Sequence, residues 1–397
     1  MRKKKILIVS SNLNLGGVEK SLLSLLQSLD YSKYEVDLLL VSQQGVFFEF
    51  IPSQVNILTP PKYFEWILIP KNNIISSIKN SMGLNLNVFK LLYCMCNGFF
   101  TKNMGQARQK LWKLCKGSLP NIANNYDIAI DYNGKFKAFI VDKVYANKKI
   151  SWIHSDYKVY RNNKQIDIGD YGKVDAIISV SKTCQDIFNS EFPMYQHKNY
   201  HMPNIVSKEQ ISMLSNKKVE FDNNFKGTKI IDITRLDPNK GLDIAIKACK
   251  KLLDSGEDIK WYIMGEGIER QKLEKLIQKY NLEDRFILLG SRTNPYPYVK
   301  NADLVVHCSL FEGRSVAIDE AMLLAKPIIL TNYPTAKDQI EHMVNGIICE
   351  SSVDEVFKAV KLLIKDYDLR NRLTQNLTDY DIPVEKSIKV LESLINK

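Results

Sequence analysis

The fold class is decided by residues 5–41, which read KILIVSSNLNLGGVEKSLLSLLQSLDYSKYEVDLLLV. The apolar run at 5–10 ends in polar residues, as is typical of a buried parallel strand. Gly16 and Gly17 follow it, and the apolar residues of 18–29 then recur with helical spacing. Residues 34–41 read as a second strand. A strand, a glycine turn, a helix and a strand form a βαβ unit, which predicts a parallel sheet.

The alternation of strands and helices continues along the chain and then restarts. Apolar runs at 127–131, 149–153 and 175–180 extend the first series, and a second series runs from residue 228 to residue 331. Alternating strands and helices require a parallel sheet with helices on both faces. We therefore predict an α/β protein with two Rossmann-like doubly wound domains. Their ranges are 1–203 and 204–382, with the polar stretch 207–226 as the linker.

Length and composition exclude several classes of protein. The chain has 397 residues, of which 45% are hydrophobic and 25% charged, and this excludes disordered, collagenous and disulfide-framework proteins. No run reaches the ~18 apolar residues of a membrane-spanning helix. The basic start resembles a signal peptide, but its apolar run is too short, so we expect a cytoplasmic protein. Seven cysteines without a CxxC pair predict reduced thiols rather than disulfides or zinc.

The net charge of +11 lies in the first half of the chain. Residues 1–200 hold 26 Lys and Arg against 15 Asp and Glu, whereas residues 201–397 hold 29 of each. Residues 51–150 alone carry 14 basic and 4 acidic residues, beside aromatic and apolar clusters at 63–69, 89–93, 99–100 and Trp112. This pattern suits a solvated basic face, an anionic membrane surface or a nucleic acid. We expect no nucleic acid, because no known binding motif is present.

Three segments have residues suited to anion and sugar chemistry. Gly16 and Gly17 allow a bulky anion to approach a helix N-terminus, although a plain tight turn has the same sequence. They do not form a GxGxxG motif, which disfavours a dinucleotide cofactor. Arg235 and Lys240 follow the first strand of the second series. Such a pair of cations suits a diphosphate, although exposed loop cations are usually only solvated.

The third segment, residues 311–322, reads FEGRSVAIDEAM and predicts a helix that begins near Ser315. Its N-terminal amides can face a phosphate. Glu312 precedes the helix and Glu320 lies about one turn inside it, so both carboxylates can accept hydrogen bonds from sugar hydroxyls. The alternative is a loop carboxylate and an exposed helix residue paired with a lysine.

Together these motifs resemble the retaining glycosyltransferases of family 4, which have the GT-B fold. The matching pieces, in order, are Gly16-Gly17, Arg235 with Lys240-Gly241, Glu312 with Glu320, and Lys326-Pro327. The resemblance covers nearly the whole chain, and residues 55–125 are its least similar part. In this fold the N-terminal domain takes the acceptor and the C-terminal domain takes the nucleotide-sugar donor. The resemblance also implies that a last helix, at about 383–397, packs back on the N-terminal domain.

The resemblance assigns most roles to the second domain. Arg235 and Lys240 would hold the donor diphosphate, helped by the backbone N–H groups of Ser315 and Val316. Glu312 would contact hydroxyls of the transferred sugar. Glu320 would bind the ribose hydroxyls, and Ser291 and Arg292 would line the base pocket.

Four further residues complete the predicted site. Gly16 and Gly17 would lie at the donor in the first domain. His154, at the carboxyl end of the predicted strand 149–153, resembles the family's histidine near the reaction centre, although a buried core histidine is the alternative. Arg314 is a departure, because Arg-Ser replaces the Phe-Gly often found after Glu-Gly. This extra cation could contact phosphate or sugar.

The resemblance implies a retaining, metal-independent transferase of the hexosyltransferase type, with a nucleotide-sugar as substrate and no cofactor. Two Asp-x-Asp triplets, at 366–368 and 379–381, lie among helical segments, so we expect no metal there. UDP is the nucleotide that we expect, by frequency in the family. The acceptor would be a glycan, lipid-linked and part of a bacterial polysaccharide or capsule. The basic residues 51–150 would then hold the enzyme on the inner face of the cell membrane.

Other functions on the same scaffold remain open. A sugar epimerase or a phosphorylase of the same fold is one alternative, although no residue can be identified as a phosphorylase's cofactor lysine. A non-catalytic scaffold that binds nucleotide-sugars is another. The presence of Glu312, Glu320, Arg235 and Lys240 disfavours the scaffold.

Overall fold

The computed structural model describes residues 2–64, 103–219, 221–222, 224–382 and 384–396. Two compact units make up the chain. Met1–Pro203 and Glu385–Lys397 form the first unit, and Asn204–Val384 forms the second. Elements are numbered below in the order in which the described residues present them.

The first unit contains a seven-stranded parallel sheet in the order β3-β2-β1-β4-β5-β6-β7. Its strands are β1 (Lys4–Ser10), β2 (Tyr34–Leu40), β3 (Val55–Leu58), β4 (Asn125–Asp131), β5 (Tyr145–Ile153), β6 (Ala176–Ser179) and β7 (Asn199–His201). Its helices are α1 (Gly17–Ser28), α2 (Met104–Cys115), α3 (Lys137–Lys143), α4 (Lys164–Gly172) and α5 (Lys182–Glu191). The strand order reverses between β1 and β4, and ligands of doubly wound sheets bind at the carboxyl ends of such strands.

The second unit contains a six-stranded parallel sheet in the order β10-β9-β8-β11-β12-β13. Its strands are β8 (Thr228–Ile233), β9 (Ile259–Met264), β10 (Phe286–Leu288), β11 (Leu304–His307), β12 (Ile328–Thr331) and β13 (Ile347–Cys349). Its helices are α6 (Lys208–Ser215), α7 (Leu242–Asp254), α8 (Arg270–Lys279), α9 (Tyr296–Asn301), α10 (Val316–Leu323), α11 (Val353–Lys365) and α12 (Tyr367–Thr378). Here the order reverses between β8 and β11. The two parallel sheets with their helices confirm the predicted α/β fold class.

The last helix, α13 (Val384–Asn396), ends against the first sheet. The Lys4 ammonium donates to the carbonyl oxygen of Ile395 (3.0 Å) and to Asn396 Oδ1 (2.9 Å). Lys148 donates to the carbonyl oxygen of Leu394 at 3.2 Å. Cations are favourable at a helix C-terminus, where the last carbonyl groups lack helical partners. Two lysines of the basic N-terminal half therefore hold this helix in place.

The segment that the sequence suggests as a polar linker contains a helix instead. The Ser207 hydroxyl accepts a hydrogen bond from the Gln210 amide at 3.2 Å and so caps α6. Ile211 of this helix is buried in a cluster with Val206, Tyr296 and Val316. Burial of this apolar face stabilises a helix whose sequence is mostly polar. The sequence does not predict the short strands β3, β7 and β13, whose three or four residues do not stand out as apolar runs.

Several sequence features lie outside the described residues. These are the apolar clusters from Trp66 to Ile69, from Phe89 to Tyr93 and at Phe99-Phe100, together with Cys94 and Cys96. The five cysteines within the described ranges are free thiols. Among the described helices, we find none with both the length and the apolar character that crossing a bilayer requires.

Candidate active site

The predicted cationic and acidic residues of the second unit meet at one edge of its sheet. Strand β8 pairs with β11 in parallel, with Ile230 beside Leu304. The loop with Lys240 follows β8, and the loop with Glu312 follows β11. Because carboxyl ends of parallel strands lie at the same edge, these loops are neighbours.

Gly241 lets the two loops approach closely. It has φ +60, and a Cβ at this position would lie 2.1 Å from the carbonyl oxygen of Cys308. The Leu310 amide also donates to the carbonyl oxygen of Asn239 at 2.8 Å. Only glycine fits both the left-handed backbone and the close approach. The result is that Lys240 Nζ lies 2.5 Å from Glu312 Oε1.

A histidine and an aspartate extend this ion pair into a network of four groups. His307 Nε2 lies 3.0 Å from Glu312 Oε1, the oxygen that also contacts Lys240. His307 Nδ1 lies 2.8 Å from Asp232 Oδ1. Sequence reasoning missed both residues. The signals were an acid inside the apolar strand β8 and a histidine at the very end of β11.

The charges of this network stabilise each other against burial. Burial alone disfavours a charged imidazole, but Asp232 and Glu312 outweigh it and raise the pKa of His307 to about 9. Burial also disfavours the Glu312 carboxylate, but Lys240 and His307 lower the pKa of Glu312 to about 2. Glu312 is therefore ionised at neutral pH. Its side chain is 14% exposed, so ligand groups can reach it.

Arg235 is an exposed cation in the loop that also carries Lys240. Its side chain is 64% exposed and pairs with Asp237 at 2.9 Å. The backbone at Gly265 packs closely against the start of this loop, since a Cβ on Gly265 would lie 1.9 Å from the carbonyl oxygen of Thr234. An exposed guanidinium on a braced loop can exchange its partner for a phosphate at little cost.

The start of α10 differs from the expectation. The Ser315 amide donates to Gln339 Oε1 at 3.0 Å, so it is already engaged. Arg314 does not extend toward a ligand either. Its guanidinium makes two hydrogen bonds to Asp319, at 2.7 and 2.9 Å, and a third to the carbonyl oxygen of Asp338 at 3.2 Å. The cause is the Asp319 carboxylate, which is buried one turn into the helix. A buried charge without a partner is costly, so Arg314 turns inward to pair with it. Val316 is the first residue of the helix and is buried.

The residues predicted to bind the nucleoside are one buried acid, for the ribose, and two loop residues, for the base. Glu320 is buried, and its Oε1 accepts a hydrogen bond from the Tyr296 hydroxyl at 2.8 Å. Ser291 and Arg292 follow β10, and Arg292 is exposed, with Nη1 3.1 Å from the carbonyl oxygen of Ser291. Their roles toward a base or a ribose stay predictions.

In the first unit, the predicted residues lie at the carboxyl edge of its own sheet. Gly16 precedes α1 in an extended conformation, and Gly17 is the first residue of that helix. The Glu19 carboxylate stands over this turn, since a Cβ on Gly16 would lie 2.2 Å from Glu19 Oε2. An anion that binds at the helix start would therefore have to displace Glu19.

His154 follows β5 at that edge and is a neutral acceptor. Burial lowers the pKa of His154 to about 4. Its Nε2 lies 2.7 Å from the carbonyl oxygen of Tyr132, so Nε2 carries the proton and donates it to that bond. Nδ1 is then the ring nitrogen with a lone pair, which can accept a hydrogen bond from a hydroxyl group.

One known protein family matches most of the second unit. Residues 215–379 match the family described as glycosyl transferases group 1. An uncharacterized glycosyltransferase of Methanocaldococcus jannaschii is 32% identical over 173 residues, which are 43% of this chain and 43% of that protein. A second relative, from Campylobacter jejuni, is the N-acetylgalactosamine-N,N'-diacetylbacillosaminyl-diphospho-undecaprenol 4-alpha-N-acetylgalactosaminyltransferase. It is 27% identical over 202 residues, which are 50% of this chain and 53% of that protein.

The whole fold has solved counterparts. The crystal structure of Anabaena Alr3699/HepE in complex with UDP and glucose has a TM-score of 0.68 with this chain at 17% identity. The superposition covers 99% of this chain and 100% of that one. At this identity the likeness shows the fold, which is that of the GT-B enzymes. The sequence matches to the first curated relatives are shorter and span about half of those proteins.

Proposed function

We propose that the chain is a retaining glycosyltransferase that moves a sugar from a UDP-sugar to a glycan acceptor. The match of residues 215–379 to the glycosyl transferases group 1 supports this proposal. The observation that carries the proposal is the Lys240–Glu312 ion pair at 2.5 Å, with the exposed Arg235 in the same loop as Lys240. Cations and an ionised acid at one sheet edge suit a substrate with a diphosphate and a hydroxyl-rich ring.

The second unit supplies the groups that a diphosphate leaving group needs. Arg235 and Lys240 stabilise negative charge as the bond between sugar C1 and the phosphate oxygen breaks and its electron pair goes to that oxygen. The acceptor hydroxyl oxygen forms the new bond to C1 on the face that the diphosphate leaves. Its proton goes to the departing phosphate oxygen. Attack and departure on one face retain the anomeric configuration.

Two acceptors of hydrogen bonds suit the sugar hydroxyls. Glu312 is a carboxylate at neutral pH with part of its surface open. His154 of the first unit is neutral and keeps a lone pair at Nδ1. Glu320 is the candidate for the ribose hydroxyls, with Tyr296 as its present partner. Ser291 and Arg292 are the candidates for the base. No metal ion takes part in this proposal.

We further propose that the acceptor is a lipid-linked glycan of a bacterial polysaccharide and that the enzyme works on the inner face of the cell membrane. The Campylobacter relative is named for an acceptor on diphospho-undecaprenol, which supports a lipid-linked acceptor here. The +10 charge balance of residues 51–150 supports docking on anionic lipid. Flotation with anionic and with neutral vesicles tests this part. Equal binding to both would refute it.

Donor choice and turnover test the enzyme itself. A thermal-shift screen with UDP-, GDP- and ADP-sugars should show stabilisation by UDP-sugars, and labelled UDP-sugar should then release UDP with transfer of the label. Lys240→Ala should lower kcat about 10²-fold or more through lost charge stabilisation. Lys247→Ala removes a half-buried lysine of α7 that pairs with Asp243; it is the matched control and should leave kcat unchanged. Proton NMR of the product should show the donor's anomeric configuration.

The same measurements separate the alternatives. A phosphorylase would consume inorganic phosphate, and an epimerase would return a changed UDP-sugar without release of UDP. A scaffold would bind UDP-sugar and release nothing. Any of these results would overturn the transferase proposal.

A further inference from the structure

Each ring nitrogen of His307 faces a carboxylate group. Nδ1 faces a carboxylate oxygen of Asp232 at 2.8 Å, and Nε2 faces a carboxylate oxygen of Glu312 at 3.0 Å. A neutral imidazole has one N–H, so its other nitrogen would turn a lone pair toward a carboxylate. Only an imidazolium satisfies both contacts while both acids are ionised. The chain Asp232–His307–Glu312–Lys240 then alternates negative and positive charges.

The four groups form a chain of neighbours that is largely buried. Asp232 and His307 are both buried, and Lys240 and Glu312 are nearly so. The Tyr333 ring also packs against the imidazole, edge to face at 6.2 Å between centroids. In such surroundings a charge without a partner is costly, so each member depends on the next.

Resting on the proposed function, we propose that His307 is a positioning residue of the transfer reaction, which holds Glu312 as an oriented carboxylate for the hydroxyl groups of the donor sugar. His307 and Lys240 both donate to Oε1 of Glu312. A carboxylate has about four acceptor sites, so Oε2 keeps capacity for hydroxyl groups. Asp232 in turn fixes the ring and its charge from the other side.

The network has a feature that stability of the fold alone does not explain. A buried ion pair alone is weak evidence for stability, since apolar residues of similar volume often do as well. Here Glu312, the last acid of the network, is partly open to ligands, and His307 and Lys240 both orient it. The arrangement resembles the outer partners of metal-binding histidines, whose loss typically lowers activity about 10–100-fold.

The charge of His307 can be measured on the wild-type protein. Nitrogen-15 spectra of the histidine side chains at pH 8, assigned with His307→Gln, should show both nitrogens of His307 protonated. The pKa of His307, raised to about 9, agrees with this expectation. A neutral ring at pH 8 would overturn the inference, whatever the turnover of the enzyme.

A double-mutant cycle tests whether His307 acts through Glu312. The probes are UDP-sugar turnover and UDP affinity by calorimetry. His307→Gln should lower kcat about 10–100-fold and leave the Kd for UDP within about threefold. In a Glu312→Gln background the same substitution should change kcat by less than about threefold. Equal losses in both backgrounds, or wild-type kcat in His307→Gln, would overturn the inference.

Two further variants guard against simple misfolding. The exposed His197, which precedes β7 in the first unit, is the control, and His197→Gln should behave like wild type. Asp232→Asn keeps a side chain of the same size but removes the charge that holds the imidazolium. The groups around the ring are then Glu312, Lys240 and Tyr333. The alkaline limb of its kcat–pH profile should move down by about one pH unit or more.

An unmoved alkaline limb in folded Asp232→Asn would contradict the role of His307. Failure of the proposed function itself is distinguishable, because wild-type protein would then transfer no sugar from any nucleotide-sugar to an acceptor, whether or not it binds one. The nitrogen-15 measurement still decides on His307 in that case.

Discussion

Arg314 and Asp319 form a forked ion pair across the first turn of α10. Nε and Nη2 of the arginine lie 2.9 and 2.7 Å from the two carboxylate oxygens of Asp319. The arginine side chain is 8% exposed and the aspartate is fully buried. Gln339 donates to the same carboxylate at 2.9 Å. The extra cation that follows Glu-Gly in this sequence thus braces the helix behind Glu312.

Arg314→Ala should therefore destabilise the protein and not weaken donor binding directly. It leaves a buried carboxylate with one amide partner, and the expected loss is about 3 kcal/mol in the free energy of unfolding. Urea denaturation measures this loss. Calorimetry on the folded variant should give a Kd for UDP within about threefold of wild type. A stable variant with much weaker UDP binding would instead return Arg314 to the ligand.

The Arg314 contacts show what the sequence leaves hidden. From the sequence, Arg314 could contact phosphate or sugar, but in the structure its guanidinium pairs with Asp319 of the helix that follows it. Gln339, which engages the Ser315 amide, lies 24 residues away, and no local pattern points to it. Partners far apart in sequence depend on how the loops pack, which periodicity does not describe.

The predicted site was found where loops follow strands. Arg235, Lys240 and Glu312 belong to motifs with recognisable spacing, and parallel-sheet topology then brings them to one edge. Asp232, within β8, and His307, the last residue of β11, were missed because they belong to strands and not to the loops that follow them. Their contact depends on β8 pairing with β11, although β9 and β10 separate these strands in the chain.

Gly241→Ala should damage the site more than the same substitution would at a left-handed glycine with open space around it. The new Cβ would meet the carbonyl oxygen of Cys308, 2.1 Å away, so the loops with Lys240 and Glu312 must separate. We expect a loss of about 2–4 kcal/mol in stability, since left-handed strain alone costs about 1–2 kcal/mol. Turnover should also fall about tenfold or more, because a displacement of Lys240 or Glu312 by about 1 Å would lower the rate of the reaction.

Gly256→Ala is the matched control for this variant. Gly256 also has positive φ (+86), but no described atom lies within 4 Å of its Cβ position. It should lose only about 1–2 kcal/mol and keep full turnover. Equal losses of stability and activity in the two variants would show that the approach to Cys308 is unimportant.

Tyr333→Phe should leave the free protein as stable as wild type or up to about 1 kcal/mol more stable. The Tyr333 hydroxyl is buried, and among the described residues it has no hydrogen-bond partner. Its removal relieves an unsatisfied polar group beside Glu312 and His307. Thermal unfolding without ligand tests this. A loss of more than about 1 kcal/mol would mean that the hydroxyl makes a hydrogen bond in solution.

The same buried network should make the free energy of unfolding depend on pH, with stability lost as the pH rises above neutrality. The pKa of His307 is raised from 6.5 to about 9 by Asp232 and Glu312, against the opposing effect of burial. A group with a raised pKa in the folded state contributes its full stability below its unfolded pKa and loses it as the pH rises through the folded value. The contribution of His307 should thus be complete below about pH 6.5 and gone above about pH 9.

Comparison of wild type with His307→Gln isolates this contribution from other titrating groups. Across the window from pH 6.5 to pH 9, the free energy of unfolding of wild type should fall relative to that of the variant by about 1–3 kcal/mol. Urea denaturation at several pH values measures the difference. Glu312 gives the opposite limb, because its pKa is lowered to about 2 and its contribution is lost only below about pH 4.5. A difference between wild type and His307→Gln that stays constant from pH 6.5 to pH 9 would show that the ring carries the same charge in the folded and unfolded chains, contrary to the geometry of its two carboxylate contacts.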